Sequence, residues 1–190
     1  LLRGVIIMGV RRRGKQVLAD LSTGRVMRIH LGMTGDVYAV DDYRFRPNTA
    51  RAWLRLSDDR ALVFDDPRVL GRLNVFTPDE LEAAIGHLGP EPLEAGFTVA
   101  GFAERLSSRT ASIKALLLDQ SIVAGVGNIY ASESLFRAGI RPGTAARRLA
   151  GTRCDRLVDA VRETLTDALA AGGSTLRDFL SADGEPGYFQ

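Results

Sequence analysis

The 190-residue chain contains one cysteine, two histidines and one tryptophan. The single cysteine, Cys154, excludes an internal disulfide framework and a cysteine-rich zinc site built from these residues, and its helix-forming neighbours predict a structural thiol. No apolar run approaches the roughly 20 residues that span a bilayer, so no membrane partner is expected. The first arginine-rich run follows the opening apolar segment rather than preceding it, which is atypical of a signal peptide and favours a strand. A cytoplasmic protein is therefore expected.

The charge is small in total but unevenly distributed. The net charge is +2, yet residues 1–76 hold 14 basic and 8 acidic side chains, a net charge of +6. Such a basic segment suits a polyanionic partner such as nucleic acid. A solvated, arginine-rich face is the alternative interpretation.

Apolar alternation in the first 76 residues predicts β-structure. A basic turn is expected at Arg11–Lys15 and a loop at residues 41–50. The expected strands cover residues 5–10, 16–21, 25–31, 53–56 and 61–64.

The periodicity becomes helical at Thr77, where Thr77-Pro78-Asp79-Glu80 forms a capping box with proline at the first helical position. Gly89-Pro90-Glu91-Pro92 then interrupts the chain. These features predict an α+β chain with domains at residues 1–88 and 89–190. After the boundary, helices are expected at about residues 99–106, 111–120, 128–138 and 152–171, the last with Leu157, Val158, Val161, Leu165 and Leu169 on one face.

The most informative segment is Lys114–Glu133, in which an apolar loop with Gly125 and Gly127 joins two helices. Glycine permits close approach of the backbone to another molecule, and the free amides at a helix start favour an anion such as phosphate. Asn128 adds a side-chain donor at the same point. The alternative is a tight helical hairpin whose glycines only permit packing.

The sequence Gly125-Val126-Gly127-Asn128-Ile129-Tyr130-Ala131-Ser132-Glu133, following Leu117-Leu118-Asp119-Gln120, closely resembles the helix–two-turn–helix of the Fpg/Nei family of DNA glycosylases. Other segments resemble the same family, and they occur in the family's order along nearly the whole chain. They are Arg13-Gly14-Lys15, His30-Leu31-Gly32-Met33-Thr34-Gly35, Asp66-Pro67-Arg68, Leu88–Leu93 and Gly172–Phe179.

The resemblance implies a partial N-terminal antiparallel β-sandwich followed by an all-helical helix–two-turn–helix domain. It also implies a bifunctional DNA glycosylase/AP lyase of base-excision repair, which flips a damaged base out of the duplex and fills the gap with side chains. Met33 matches the family's intercalating methionine, and Arg68 matches the arginine that faces the orphaned base. Leu70 stands where many relatives carry an aromatic wedge and is still apolar.

Other family positions contact the DNA backbone. Lys15 matches a hairpin lysine that contacts phosphate and is credited with proton transfer during β-elimination. His30 and Asn128 match residues that hold phosphates around the lesion, with Gly127 at the same helix start. Arg109 and Lys114 match basic positions leading into the first helix of the hairpin, and Tyr188 is expected to touch the backbone.

The chain departs from the family pattern at both ends. The family's nucleophile is an N-terminal proline followed by glutamate, but Leu1 aligns well inside the family pattern, so neither residue is present here. The family's structural zinc lies in a C-terminal four-cysteine finger that Cys154 cannot replace, so no cofactor is expected in this chain. Thr49 stands where relatives often have a DNA-contacting histidine. We therefore expect a fragment of a longer enzyme, truncated at both ends and inactive in base excision by itself.

The expected partner is double-stranded DNA with an oxidised base or an abasic site, bound by a nucleoid-associated monomer. Met33 and Asp66-Pro67-Arg68 favour oxidised purines (8-oxoguanine and formamidopyrimidines), while Leu70 keeps open a Nei-like enzyme for oxidised pyrimidines. A non-catalytic binder of damaged DNA is a second alternative. A third is an RNA-binding or ribosomal helix–two-turn–helix protein, which the wedge motifs argue against.

Overall fold

A computed structural model of the chain describes residues 2–173. The chain divides into two compact units, the first running to Ala83 and the second covering Ala84–Ala170. The first unit is built mainly of β-strands and the second of helices. The predicted boundary between residues 88 and 89 stays a prediction.

The strands of the first unit form two antiparallel sheets. One has the order β1-β2-β3-β7 and the other the order β4-β6-β5. This arrangement, followed by helices, confirms the α+β class. The strands are β1 (Ile7–Arg13), β2 (Gln16–Leu21), β3 (Val26–His30), β4 (Asp36–Val40), β5 (Ala50–Arg55), β6 (Ala61–Asp65) and β7 (Arg72–Phe76).

The core of the first unit lies between the two sheets. Ala19, Met27 and Ile29 contribute from the larger sheet and pack in one apolar cluster with Phe64 of the smaller sheet. Ala19 is paired directly with Met27 across β2 and β3, so their side chains share one face. The alternation of apolar residues that predicted these strands therefore also fixes which face is buried.

Two strands were not predicted from the sequence. β4 and β7 are mostly half-buried along their length, and their mixed composition lacks the apolar alternation that marks β2 and β3. β1 also continues through Arg13, because Arg11, Arg12 and Arg13 are paired with β2. The predicted basic turn is therefore limited to Gly14 and Lys15, with Gly14 at a φ of +56°.

The capping box at the start of α1 (Pro78–Ile85) is confirmed. The Thr77 backbone N–H donates to the Glu80 carboxylate at 2.7 Å, and the Glu80 N–H donates to the Thr77 hydroxyl at 3.3 Å. These two bonds satisfy donors that the first helical turn leaves unpaired. They also lower the pKa of Glu80.

The second unit packs four α-helices and a short 3₁₀ helix around one apolar core. The predicted face of the long helix is correct for Leu157, Val158 and Val161, which are fully buried, and Leu165 is partly buried. Leu169 is wrong, since it is 69% exposed near the end of the helix. The elements are α2 (Val99–Ser107), α3 (Ile113–Leu118), α4 (Asn128–Arg137), the 3₁₀ helix (Ala146–Arg148) and α5 (Thr152–Ala170).

The lone cysteine lies inside this helical core. Cys154 is fully buried, and burial raises the pKa of its thiol, with a smaller contribution from the Asp155 charge. A protonated, enclosed thiol is the structural residue that the sequence predicted. None of the helices within residues 2–173 has both the length and the apolar character needed to cross a membrane.

Candidate nucleic-acid interface

A row of polar side chains crosses one end of the larger sheet. His30 is paired with Gln16 of β2 on one side and with Arg72 of β7 on the other. Directly paired residues project from the same face, and Arg28, two positions before His30, shares it. Lys15 precedes Gln16 in the β1–β2 turn. We call Lys15, Arg28, His30 and Arg72 the cationic row.

The electrostatics of this row keep its histidine neutral. Burial lowers the pKa of His30 from its ordinary value of 6.5, and the charges of Lys15, Arg28 and Arg72 lower it further. His30 Nδ1 accepts a hydrogen bond from the Gly32 N–H at 3.1 Å. The other ring nitrogen then carries the proton and is a donor, which suits a phosphate oxygen.

Lys15 presents its ammonium group at the edge of the same row. Its side chain is exposed by surface area, although partial loss of water lowers the pKa of its ammonium. A lysine with a lowered pKa gives up a proton more easily than one in free solution. This property is compatible with both phosphate contact and proton transfer.

Met33 lies in a tight turn directly after β3, the strand that ends at His30. The turn is closed by a hydrogen bond from the Gly35 N–H to the Leu31 carbonyl at 2.9 Å, and Gly32 has a φ of +68°. Met33 is 74% exposed, so the core-filling alternative does not describe it. We call residues 31–35 the Met33 turn.

Arg68 and Leu70 lie on the loop between β6 and β7. Arg68 is exposed, and Leu70 exposes 46% of its surface. Between them, Val69 has a φ of +57°, a left-handed conformation that is unfavourable for a β-branched residue. We call residues 67–71 the Arg68 loop.

The Met33 turn and the Arg68 loop lie backbone against backbone. A Cβ on Gly32 would lie 2.7 Å from the carbonyl carbon of Leu70 and 2.8 Å from the backbone nitrogen of Gly71. Only glycine permits this approach at Gly32, whose positive φ also favours it. The structure thus brings Met33, Arg68 and Leu70 onto two adjoining loops.

In the second unit, one side chain shapes the loop between α3 and α4. Gln120 Oε1 accepts from the Gly125 N–H at 2.9 Å, while its Nε2 donates to the carbonyls of Leu118 and Val126 at 3.1 and 3.0 Å. The amide therefore spans the loop from end to end. The loop also buries its own apolar residues, Ile122, Val123, Ala124 and Val126.

The start of α4, directly after this loop, is exposed to solvent. Gly127 is the N-cap residue and has no side chain to occupy the helix terminus. Asn128, the first helical residue, is exposed. Amides at a helix start, with the helix dipole behind them, form a site for an anion. Gly125 has a φ of +84°, a backbone conformation that favours glycine.

The remaining basic positions of this unit flank the hairpin. Arg109 is exposed, and its charge adds to the Ser121 hydrogen bonds that lower the pKa of Asp119 against the effect of burial. Lys114 is half-buried in the first turn of α3, where the Ser112 side chain caps the helix. Tyr188 lies outside the described residues.

The segment Leu88–Leu93 packs against the loop between α3 and α4, and this contact explains why the segment contains Gly89. The Gly89 N–H donates to the Gln120 carbonyl at 2.8 Å, and the Ala124 N–H donates to the Pro90 carbonyl at 3.0 Å. A Cβ on Gly89 would lie 2.7 Å from the Ser121 carbonyl oxygen and from the Ile122 carbonyl carbon. A glycine is therefore needed where the segment meets the loop.

Sequence reasoning missed several residues of these sites. Arg28 and Arg72 were not singled out, although Arg28 has the two-residue spacing from His30 that shares a strand face. Arg72 could not be placed because β7 was not predicted. Gln120 and Asp66 were quoted only within motifs, since their hydrogen bonds depend on the folded loops.

The described residues do not fit a structural zinc ion. Within residues 2–173 there is no group of three or more histidine, cysteine, aspartate or glutamate side chains that could hold a metal. The one cysteine of the chain is enclosed in the helical core.

Two family models match the chain. The formamidopyrimidine-DNA glycosylase N-terminal domain matches residues 1–73, and the formamidopyrimidine-DNA glycosylase H2TH domain matches residues 88–180. H2TH denotes the helix–two-turn–helix found here between α3 and α4. The two matches define the class of protein, a DNA glycosylase of the helix–two-turn–helix type.

Curated relatives agree with these matches. The formamidopyrimidine-DNA glycosylase of Methylobacillus flagellatus is 44% identical over 191 residues, covering 100% of this chain and 68% of the relative. That of Burkholderia thailandensis is 46% identical over 199 residues, covering 100% of this chain and 71% of the relative. The chain belongs to the formamidopyrimidine-DNA glycosylase family, whose members are DNA glycosylase/AP lyases of base-excision repair.

Solved structures share the fold. The MutM (Fpg) protein of Thermus thermophilus has a TM-score of 0.88 and 44% identity, over 97% of this chain and 68% of that one. The Lactococcus lactis Fpg, in a complex with DNA containing an abasic site, has a TM-score of 0.89 and 31% identity over the same shares.

Proposed function

We propose that this chain recognises damaged bases by flipping them out of the duplex, as part of a glycosylase/AP lyase for oxidised purines. The observation that supports this most strongly is the pairing of two exposed loops. Met33, 74% exposed, and Leu70, 46% exposed, are carried on loops in backbone contact, with Arg68 between them in sequence. Exposed apolar side chains on tightly held turns are suited to enter a base stack.

The energetics of such an insertion favour a damaged position over an intact one. Unstacking and unpairing a base costs a few kcal/mol, and less at a damaged or abasic position. Burying a methionine side chain recovers about 1.5–3 kcal/mol. The flat guanidinium of Arg68 can then hydrogen-bond the edge of the base left without a partner. The net preference is for DNA that is already weakened.

Contacts with the DNA backbone supply affinity rather than selectivity. We assign this role to Lys15 and His30 of the cationic row and to Gly127 and Asn128 at the start of α4. Arg109 and Lys114 add positive charge beside the hairpin. Each neutralised phosphate releases counterions, so affinity should fall steeply with salt.

The substrate class follows the relatives. They are named formamidopyrimidine-DNA glycosylases, and another Lactococcus lactis Fpg structure contains a Fapy-dG lesion in its DNA. These names support an oxidised purine as the substrate. Leu70, which stacks less well than an aromatic wedge, keeps open a second candidate, a Nei-like enzyme for oxidised pyrimidines.

The wedge role of Met33 is tested by fluorescence anisotropy. We expect the chain to bind a duplex with a tetrahydrofuran abasic analogue more tightly than the intact duplex, and Met33→Ala to reduce that preference more than it reduces overall binding. Met8→Ala is the matched control, since Met8 is 68% exposed in β1. Equal loss on both duplexes for Met33→Ala would count against a wedge.

A second test concerns the 190-residue polypeptide itself. Schiff-base chemistry needs an amine nucleophile at the sugar C1′, and the N-terminal proline and glutamate implied by the family resemblance are not among these 190 residues. We propose that this polypeptide binds a lesion as a monomer without excising it, which is also the behaviour of a non-catalytic binder of damaged DNA. Borohydride trapping on an abasic duplex should give no adduct. A covalent adduct, or excision of 8-oxoguanine, would refute this part of the proposal.

The site of action follows from the partner. The relatives are bacterial proteins named for their action on DNA, which supports double-stranded DNA of the nucleoid as the partner in the cytoplasm. The wedge loops of the first unit also distinguish this function from RNA binding. An RNA-binding hairpin would show affinity that does not respond to a DNA lesion, which the same anisotropy experiment measures.

A further inference from the structure

Asp66 is a fully buried carboxylate at the end of β6. Its Oδ2 accepts from the Gly71 N–H at 2.7 Å, and its Oδ1 accepts from the Thr34 hydroxyl at 3.2 Å. Burial raises the pKa of Asp66, but the hydrogen bonds from Gly71, Thr34 and the backbone N–H groups of Leu70 and Arg68 outweigh it and lower the pKa below 3.8. The group is therefore a buried anion held by neutral donors.

These donors come from two different loops. The Thr34 hydroxyl belongs to the Met33 turn, while the backbone N–H groups belong to the Arg68 loop. A carboxylate only accepts hydrogen bonds and has about four acceptor positions, so it can collect donors from both sides. A buried charge is costly when a donor is withdrawn. Displacing either loop therefore penalises the other.

The Arg68 loop needs such an anchor because its backbone is strained. Val69 holds a φ of +57°, and strained conformations persist only where the surroundings impose them. Arg51 holds the beginning of the loop, since its Nε donates to the Asp66 carbonyl at 2.8 Å and its Nη2 to the Pro67 carbonyl at 3.4 Å. Asp66 holds the end of the loop through Gly71.

We propose that Asp66 is a positioning residue that joins the Met33 turn and the Arg68 loop into one unit, so that the two enter damaged DNA together. This inference rests on the proposed function for its DNA-binding part. The joint itself is a property of the free protein. Its central prediction is that a substitution in one loop changes the stability of the backbone hydrogen bonds in the other.

The obvious variant, Asp66→Asn, puts an amide against backbone donors and can impair folding. Thr34→Val is sharper, because valine keeps the shape of threonine and removes only the hydroxyl that reaches Asp66. Thr34→Ser is the matched control, since it keeps the hydroxyl. All variants are made in the 190-residue chain, and thermal unfolding is recorded to confirm that they fold.

The first readout is amide hydrogen exchange of the free protein. Thr34→Val should accelerate exchange of the Gly71 amide and its neighbours in the Arg68 loop, and Thr34→Ser should not. Faster exchange confined to residues 31–35 would overturn the joint. Since no DNA is present, this readout does not depend on the proposed function.

The second readout is a double-mutant cycle on lesion preference, with Met33→Ala and Arg68→Ala. We expect the double variant to lose less preference than the product of the single losses, by at least about threefold, because the two residues act as a unit. In the Thr34→Val background this coupling should disappear. A multiplicative loss in the unsubstituted background would overturn joint entry. Coupled exchange in a chain that shows no lesion preference would support the joint and refute the proposed function instead.

Discussion

The two units present their candidate site residues in different ways. In the helical unit, the loop before Asn128 is filled by its own buried apolar side chains and spanned by Gln120, whose partners are two to six residues away. In the β unit, Met33 and Leu70 are exposed on loops joined through Asp66, which reaches Thr34 over 32 residues.

The difference shows two routes to a rigid site. The helical hairpin is stabilised mostly by hydrogen bonds between residues close in sequence and by the apolar core that its loop helps to form. Disrupting the loop should therefore also destabilise the unit. The β loops are held by a buried polar joint and by close backbone packing, with strain at Val69. In the proposed function, the helical hairpin is suited to contact the regular phosphate backbone of DNA. The β loops are suited to carry side chains that enter the irregular site of a lesion.

The largest expected effect tests how far the helical unit depends on its core. Phe102 is 1% exposed and packs edge-to-face against Phe97 with ring centroids 5.2 Å apart. Phe102→Ala should lower the free energy of unfolding by about 3–5 kcal/mol, through lost burial and a cavity. Chemical denaturation followed by helical circular dichroism measures it.

Phe136→Ala is the control, because Phe136 is 82% exposed on α4. It should change the free energy of unfolding by no more than about 0.5 kcal/mol. Similar losses for the two variants would mean that the core described for this unit does not stabilise it.

A smaller effect tests the contact between the two β loops. Gly32 and Gly24 have similar positive φ angles, +68° and +74°, but a Cβ meets atoms within 3 Å only at Gly32. Gly24→Ala should cost about 1–2 kcal/mol for the left-handed conformation alone. Gly32→Ala should cost about 1–3 kcal/mol more, because Leu70 and Gly71 must move. Equal costs in denaturation would refute the backbone packing of the loops.

The smallest expected effect concerns pH and the cationic row. The pKa of His30 is lowered in the folded chain, by burial and then by Lys15, Arg28 and Arg72. The unfolded chain therefore binds a proton first, so the stability contributed by neutral His30 is complete above about pH 6.5 and lost as the pH falls below it.

His30→Gln should flatten the dependence of unfolding free energy on pH below about 6.5. An unchanged pH profile in His30→Gln would show that this histidine does not titrate as the row requires.

The sequence predicted helical features better than strand pairing for a physical reason. The capping box at Thr77, the glycines before Asn128 and the buried face of α5 depend on neighbours within a few residues. β4, β7 and the position of Arg72 depend on strand pairing across distant segments, and their half-buried composition does not show it. Leu169 was wrong because a periodic face was extended past the point where the core ends.

The residues of the candidate site also differ in whether the nearby sequence reveals them. Met33 at a turn and Asn128 at a helix start could be found from flanking glycines and from the family resemblance. The roles of Asp66, Gln120 and Arg28 could not, because each depends on hydrogen bonds or charges that exist only after folding. A buried aspartate within Asp66-Pro67-Arg68 gives no local sign that its partner is Thr34.

The most direct test of the account compares the proposed wedge residue with a proposed backbone-contact residue on the same pair of duplexes. We would measure the dissociation constants of Met33→Ala and Asn128→Ala for an abasic-analogue duplex and for its intact counterpart. We expect Met33→Ala to lower mainly the ratio of the two constants, and Asn128→Ala to weaken binding to both duplexes equally and leave the ratio unchanged. If both variants change the ratio to the same extent, Met33 and Asn128 do not differ as a selectivity residue and an affinity residue, and the account is wrong.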